Sequence, residues 1–479
     1  MTARLEAPGL RDPGGRPATW FACAGCGFRP AARAPVPLIC PAARPADGID
    51  HVLVRLLDPA GSPVAPAISA NPFIAYRRLF HAWHAALAAG WTDQRYVALV
   101  ERLDAAVARV DGHGFRVTPF ARSAALSERL GFSARGGVWV KDETGNVSGS
   151  HKARHLFGSL VELEVGGSVT GDAPLAIASC GNAALAAAVV ARAAGRRLLV
   201  FIPPDADEAV VARLRALGAE LEVCERQPGV AGDPTYLRLL DAIAAGATPF
   251  TCQGNLNAFA VEGGETLGLE MAAAIGRPDG PARIDRVVIQ VGGGAFASSI
   301  MAGFENAPAA GMDFPLPRFD TVQTQGAFPL ARAHERVAAR VAAGESVDVA
   351  LAYAAHHRAE FMWPWEEAPH SIAHGILDDE TYDWQAVVRG MLLTGGTPIV
   401  VDEPTLEEAN SLARAATGIS VDHTGSSGLA GLLHLARTGA LDPHETVVVV
   451  FSGVQRESDG QASPDPDGRR HSPKEDTRS

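Results

Sequence analysis

Apolar residues recur at helical spacing through residues 71–111, first as Ile74, Leu79, Trp83 and Leu87, then as Val97, Leu99, Leu103, Val107 and Val110. That period predicts helices with one face turned to a core. Beyond about residue 136 the pattern changes. Short apolar runs at 137–141, 175–178, 197–202, 220–223, 286–291, 398–401 and 446–451 predict strands. Alanine-rich stretches between them, such as 183–194 and 207–217, predict helices. Apolar strands separated by helices belong to parallel sheets covered on both faces. The predicted class is α/β with two doubly wound parallel-sheet domains, and 479 residues are enough for both.

Composition sets the outer boundaries. Residues 1–19 are rich in Gly, Pro and Arg and read as a flexible arm, and 20–52 hold three of the six cysteines. Residues 456–479 are polar and proline-rich and read as a disordered tail. A formal charge of −12 without a basic stripe argues against nucleic acid. No apolar run reaches the length of a membrane span, and the first residues lack a signal-peptide core. A cytoplasmic protein is expected, with free or metal-bound rather than disulfide cysteines.

Lysine is nearly absent: 3 residues against 39 arginines. Two of the three, Lys141 and Lys152, lie in one short stretch, and Lys152 follows the turn Ser148-Gly149-Ser150 and precedes a helix-like run. A desolvated ε-amine can lose its proton and form an imine with a carbonyl, which a guanidinium cannot do. Three loops offer partners. Gly292-Gly293-Gly294-Ala295 follows an apolar strand and opens a helix, so its backbone N–H groups can converge on an anion or simply make a turn. Ser179-Cys180-Gly181-Asn182 can bind a carboxylate or cap a helix. Ser452-Gly453 ends the last apolar strand, where open α/β sheets bind ligands.

In chain order, the lysine turn, Ser179–Asn182, the triple glycine and then Ser452-Gly453, the four motifs resemble those of the tryptophan-synthase-β-like (fold type II) pyridoxal-phosphate enzymes, which include threonine synthases and threonine/serine dehydratases. The resemblance runs over roughly residues 70–455. It implies pyridoxal 5'-phosphate between the two domains, with residues 53–155 and 285–455 as the large cofactor-binding domain and 156–284 as the small one. Lys152 is then the Schiff-base lysine, Gly292 to Ala295 cradle the phosphate, Asn182 bonds the phenolic oxygen, and Ser452 bonds the ring nitrogen. Ser179 and Gly181 would hold the substrate carboxylate. Ser148, His151 and His370 are expected on the substrate side, with Ser371 and His374 beside the last. A neutral hydroxyl at the ring nitrogen suits elimination and replacement over transamination.

The expected activity is elimination on a β-substituted hydroxy- or amino-amino acid. Replacement, as in a threonine synthase, is the alternative, and a phosphorylated substrate would need cations such as Arg77, Arg78 or Arg154. A non-enzymatic homologue that binds cofactor or metabolite is the alternative from another class. A homodimer is expected. The sequence departs from the family's Ser-Phe-Lys-x-Arg-Gly: here it reads Ser150-His151-Lys152-Ala153-Arg154-His155. His151 is either a second acid/base or a packed ring. Cys23-Ala-Gly-Cys26 with Cys40-Pro41 resembles the zinc ribbon heading some threonine synthases, but Ala43 stands where a fourth cysteine is expected. His51 could complete a Cys₃His zinc site, the other possibility being a relic without metal.

Overall fold

A computed structural model describes residues 10–11, 17–31, 34–44, 46–58, 65–167, 173–227, 230, 232–367 and 369–456. The chain opens with a small antiparallel sheet in which β2 (Pro17–Cys23) pairs with β1 (Leu10–Arg11) on one side and β3 (Leu53–Leu57) on the other. Part of the stretch expected to be a loose arm is thus strand. Helices Pro72–Ala75, His81–Ala88 and Asp93–Asp111 follow where the apolar period predicts them. The last buries Tyr96, Leu99, Val100, Leu103, Ala106 and Val107 on one face and ends on Gly112 in the left-handed conformation.

Strands β4 (Phe120–Ser123) and β5 (Gly137–Asp142) begin a second sheet. The chain then leaves to build a third from β6 (Leu175–Ala178), β7 (Leu198–Ile202), β8 (Glu220–Val223) and β9 (Thr248–Pro249), parallel throughout in the order β8-β7-β6-β9. It returns with β10 (Arg286–Gln290), β11 (Arg318–Thr324), β12 (Pro398–Val401) and β13 (Thr446–Phe451), completing the order β12-β11-β10-β13-β5-β4. Only the edge pair β4–β5 is antiparallel. The chain runs outward from β10 through β11 to β12, whereas β13 lies on the other side of β10, next to β5. Open α/β sheets bind ligands at the carboxyl ends of the strands flanking such a reversal. Here those ends carry Gly292–Gly294 and Ser452.

Helices Lys152–Gly166 and Ala260–Ala274 connect the two larger sheets, and Ala295–Asn306, which joins β10 to β11, packs against the second of them. They cross at glycines: a Cβ on Gly158 would meet the Gly263 Cα at 2.6 Å, and one on Gly303 would meet the Gly268 Cα at 2.8 Å. Backbones this close fix where the first turn of Lys152–Gly166 sits.

Beneath that turn lies a fully buried ionic cluster. The Arg154 guanidinium donates to both Glu143 oxygens (2.8 and 2.9 Å) and to Glu270 (2.6 Å), and Lys141 Nζ donates to Glu270 (2.6 Å) and the Thr118 carbonyl (2.8 Å). The retained Lys141 is therefore an internal counter-ion. Arg154 is equally committed, and Arg77 is clamped on Asp93 through two bonds of 2.7 Å. Neither is free to bind a substrate phosphate. Glu270→Ala would leave the buried Lys141 without a carboxylate and Arg154 with Glu143 alone, and we expect it to lower unfolding stability by about 3–5 kcal/mol in denaturant titration.

Candidate active site

Lys152 is the first residue of its helix, with His151 as N-cap. The approach to it is strained and pinned. Ser148 adopts φ 57°, a left-handed conformation uncommon outside glycine. Asp111 accepts from the Ser148 N–H (2.9 Å), Arg456 donates to the Ser148 carbonyl (2.8 Å), and Asn146 donates to the Ser150 carbonyl (3.1 Å). The side-chain oxygens of Ser148 and Ser150 and His151 Nε2 are buried with no protein partner. Orphaned polar atoms of this kind around a lysine fit a polar ligand bound there.

Ser452 is buried at the end of β13 and meets His151 twice: the His151 N–H donates to Ser452 Oγ (3.0 Å), and His151 Nδ1 lies 2.5 Å from it. The imidazole stacks on Phe296 with centroids 3.8 Å apart. Burial first, then Lys152, holds its pKa well below the usual histidine value, so the ring is neutral. His155 is held at about 3 for the same reasons, and its Nδ1 lies 2.6 Å from the Ala260 carbonyl, a packed ring rather than a site group.

The glycine loop ends β10. Gly294 has φ +98° and caps the helix Ala295–Asn306, whose first N–H groups lack helical partners. Segment 378–383 lies across it. Thr381 Oγ1 donates to the Gly292 carbonyl (3.0 Å), the Asp383 N–H donates to the Gly293 carbonyl (3.0 Å), and the Tyr382 ring abuts Gly293. His151, next to Lys152, stacks on Phe296 in the first turn of the helix that the loop opens, which brings loop, segment and lysine turn side by side. Burial pushes Asp383 up to about 7, against the lowering effect of the Gly254 N–H. The sequence marks 369–384 as an unusual run of histidines, acids and aromatics, but not which of them reach the loop.

Of the other expected residues, the Ser179 hydroxyl accepts from the Gly181 N–H of its own loop (3.4 Å) while its N–H donates to the Phe201 carbonyl (3.2 Å), and Asn182 Oδ1 accepts from Arg456 (2.7 Å). Arg456 thereby joins Asn182 to Ser148 and approaches Asp422. It falls within the expected tail, and nothing in its polar surroundings signals this role; residues 457–479 lie outside the described residues. His370 is exposed and lines a cavity of about 440 Å³ with Gln325, Phe328, Trp365 and Glu366.

The cysteine knuckle is preorganised. One ligand atom from each of Cys23, Cys26, Cys40 and His51 lies within 4.8 Å of the others. Cys26 Sγ is 3.7 Å from Cys40 Sγ, and Cys23 Sγ is 3.6 Å from His51 Nδ1. These are close to the roughly 3.8 Å edge of a tetrahedron with bonds of about 2.3 Å. His51 Nε2 meets Asp47 (2.9 Å), the outer carboxylate that orients ligating histidines. Burial pushes the Cys23 thiol up to about 12, so a bound cation is what would make it a thiolate.

Residues 113–453 match the family described as Pyridoxal-phosphate dependent enzyme. The threonine synthase of Methanocaldococcus jannaschii is 25% identical over 338 residues, 70% of this chain and 74% of that protein. A serine dehydratase-like protein of Mus musculus is 29% identical over 192 residues, 39% of this chain and 52% of its own length. The solved structure of threonine deaminase isoform 2 from Solanum lycopersicum superposes with a TM-score of 0.55 at 15% identity, covering 76% of this chain and 91% of that one.

Proposed function

The chain belongs to the pyridoxal-phosphate dependent enzymes, and from that premise we propose that it is a lyase that eliminates the β-substituent of an amino acid from a site centred on Lys152. The observation that carries the proposal is the convergence of Lys152, the Gly292–Gly294 loop and Ser452 at the carboxyl ends of neighbouring strands, beside orphaned polar atoms.

The residues fit the cofactor. Lys152 would attach it, the N–H groups of Gly293, Gly294 and Ala295 would receive its phosphate, and the Ser452 hydroxyl would face the ring nitrogen. When bound, pyridoxal phosphate supplies the electron sink for a carbanion at the substrate Cα. Lys152 is placed to move the α-proton. The neutral His151 and Ser452 together give the ring nitrogen no charged partner, which favours loss of a leaving group over transamination. Ser179 and Gly181 would hold the substrate carboxylate, and Asn182, in the same loop, would bond the phenolic oxygen. Arg456, which holds both Asn182 and Ser148, sets that loop against the lysine turn.

A second reading is replacement of the leaving group, favoured by the similarity to a threonine synthase over 70% of the chain. Product analysis separates the two. Ammonia and a 2-oxo acid without a second substrate support elimination; turnover that requires an added nucleophile, or phosphate released with threonine, supports replacement. Assembly as a cytoplasmic homodimer is part of the same proposal; among the described residues no helix is long and apolar enough to cross a membrane.

Cys23, Cys26, Cys40 and His51 would hold structural zinc. We expect about one zinc per chain by elemental analysis. Cys26→Ser should release it and loosen the module while leaving the visible cofactor band in place. Metal-free protein whose stability a chelator does not change would remove zinc from the proposal.

A further inference from the structure

The glycine loop is already in contact with an anion, and that anion is the protein's own. Asp378 Oδ2 lies so close to the loop that a Cβ on Gly292 would meet it at 2.4 Å and one on Gly293 at 3.7 Å. The contact is built rather than incidental. Thr381 and Asp383 bind the loop's carbonyls. The segment's outer side is tied down through Glu380, which accepts from Arg358 at 2.7 and 3.1 Å. Arg358 in turn donates to Asp50 of the cysteine knuckle (3.0 Å), whose carboxyl also accepts from Gln385 (2.5 Å). Asp378 is therefore held on the loop from both sides.

Backbone N–H groups at a helix start attract one anion well and two badly, because like charges at contact distance repel. We propose that Asp378 competes with the cofactor phosphate for the Gly292–Gly294 cradle, so that cofactor affinity is set by the charge and position of this carboxylate. The proposal rests on assigning the cradle to the cofactor phosphate.

Its pH dependence has a definite sign. Burial raises Asp378 to about 6; Asp379 and Asp233 act in the same direction, while Lys152 and the Gly293 N–H oppose it. Tyr382 also faces it from the segment's end. Above about 6 the carboxylate is charged and opposes phosphate; below it the group is neutral and the opposition fades. The phosphate and Lys152 titrate too, so the informative quantity is the ratio of affinities between wild type and a variant lacking only this charge.

The test is titration of cofactor-stripped protein with pyridoxal 5'-phosphate, followed by absorbance. Asp378→Asn should bind about as wild type does near pH 5 and roughly tenfold tighter near pH 8. Asp379→Asn, which removes a neighbouring charge that does not touch the loop, should leave the ratio near one at both. Asp378→Ser serves if the asparagine variant does not fold. A parallel arm measures protection by inorganic phosphate against thermal unfolding, which should be greater in Asp378→Asn than in wild type near pH 8. A ratio that is flat with pH or below one, in both arms, overturns the proposal and leaves the cofactor assignment standing. Protein that binds no pyridoxal phosphate, yet is protected by phosphate more strongly in Asp378→Asn, overturns the cofactor assignment and supports the competition.

Discussion

Lys152→Ala should abolish both the visible absorption of the cofactor-loaded protein and its turnover, the latter by at least about a thousandfold. Both effects trace to one amine. Among the described residues Lys152 is the only lysine available to the cradle, because Lys141 is spent on Glu270 and the Thr118 carbonyl. Arginines cannot substitute for it, since a guanidinium neither condenses with a carbonyl nor gives up its proton. The fold should survive. Lys152 is only partly buried, makes no ion pair among the described residues, and starts a helix in which alanine is well tolerated. The measurement is a spectrum and an activity assay on protein whose circular dichroism matches wild type. Retention of the band in the variant would place the attachment elsewhere and remove Lys152 from the centre of the site.

The parts of this site legible in the sequence are those fixed by local chemistry. Each of the strands β5, β6, β7, β10, β12 and β13 sits within about a residue of an apolar run, because a buried strand has little choice of side chain, whereas β8 falls where expected but is a largely exposed edge strand. β11, Arg318–Thr324, lies between β10 and β12 yet is absent from that reading. Its polar residues are the reason: Asp320 is buried against Arg286, and Gln323 accepts from the N–H groups of Leu330 and Ala331, so internal partners satisfy groups that look surface-bound. The same limit hid the charge network. Arg154 looks available for a substrate, and only its pairing with Glu143 and Glu270, the latter 116 residues away, reveals otherwise. Arg456 was obscured by the composition around it. The acidic run 378–380 stood out as unusual, but its contact with the glycine loop joins residues more than eighty positions apart, and no periodicity encodes that distance.

Gly293→Asp distinguishes a cradle from a turn. Gly293 does not have positive φ, so an L-residue meets no backbone strain there. A Cβ would lie 3.1 Å from the Tyr382 ring and 3.7 Å from Asp378 Oδ2, contacts that a small shift of side chains relieves. The cost to folding should accordingly stay within about 1–2 kcal/mol. Gly292 would be the wrong choice for this test, since its Cβ would also meet the Ile376 Cα at 3.0 Å and force backbone to move. The cost to the cofactor should be far larger. A second carboxylate beside Asp378 would place negative charge against the phosphate and block approach to the N–H groups, and affinity should fall roughly a hundredfold or more. Gly293→Ala separates the two causes, because it adds the Cβ without the charge and should lose much less. Equal losses in the two variants would make the effect steric. Normal cofactor binding by folded Gly293→Asp would mean that the loop only turns the chain and that the phosphate anchor lies elsewhere.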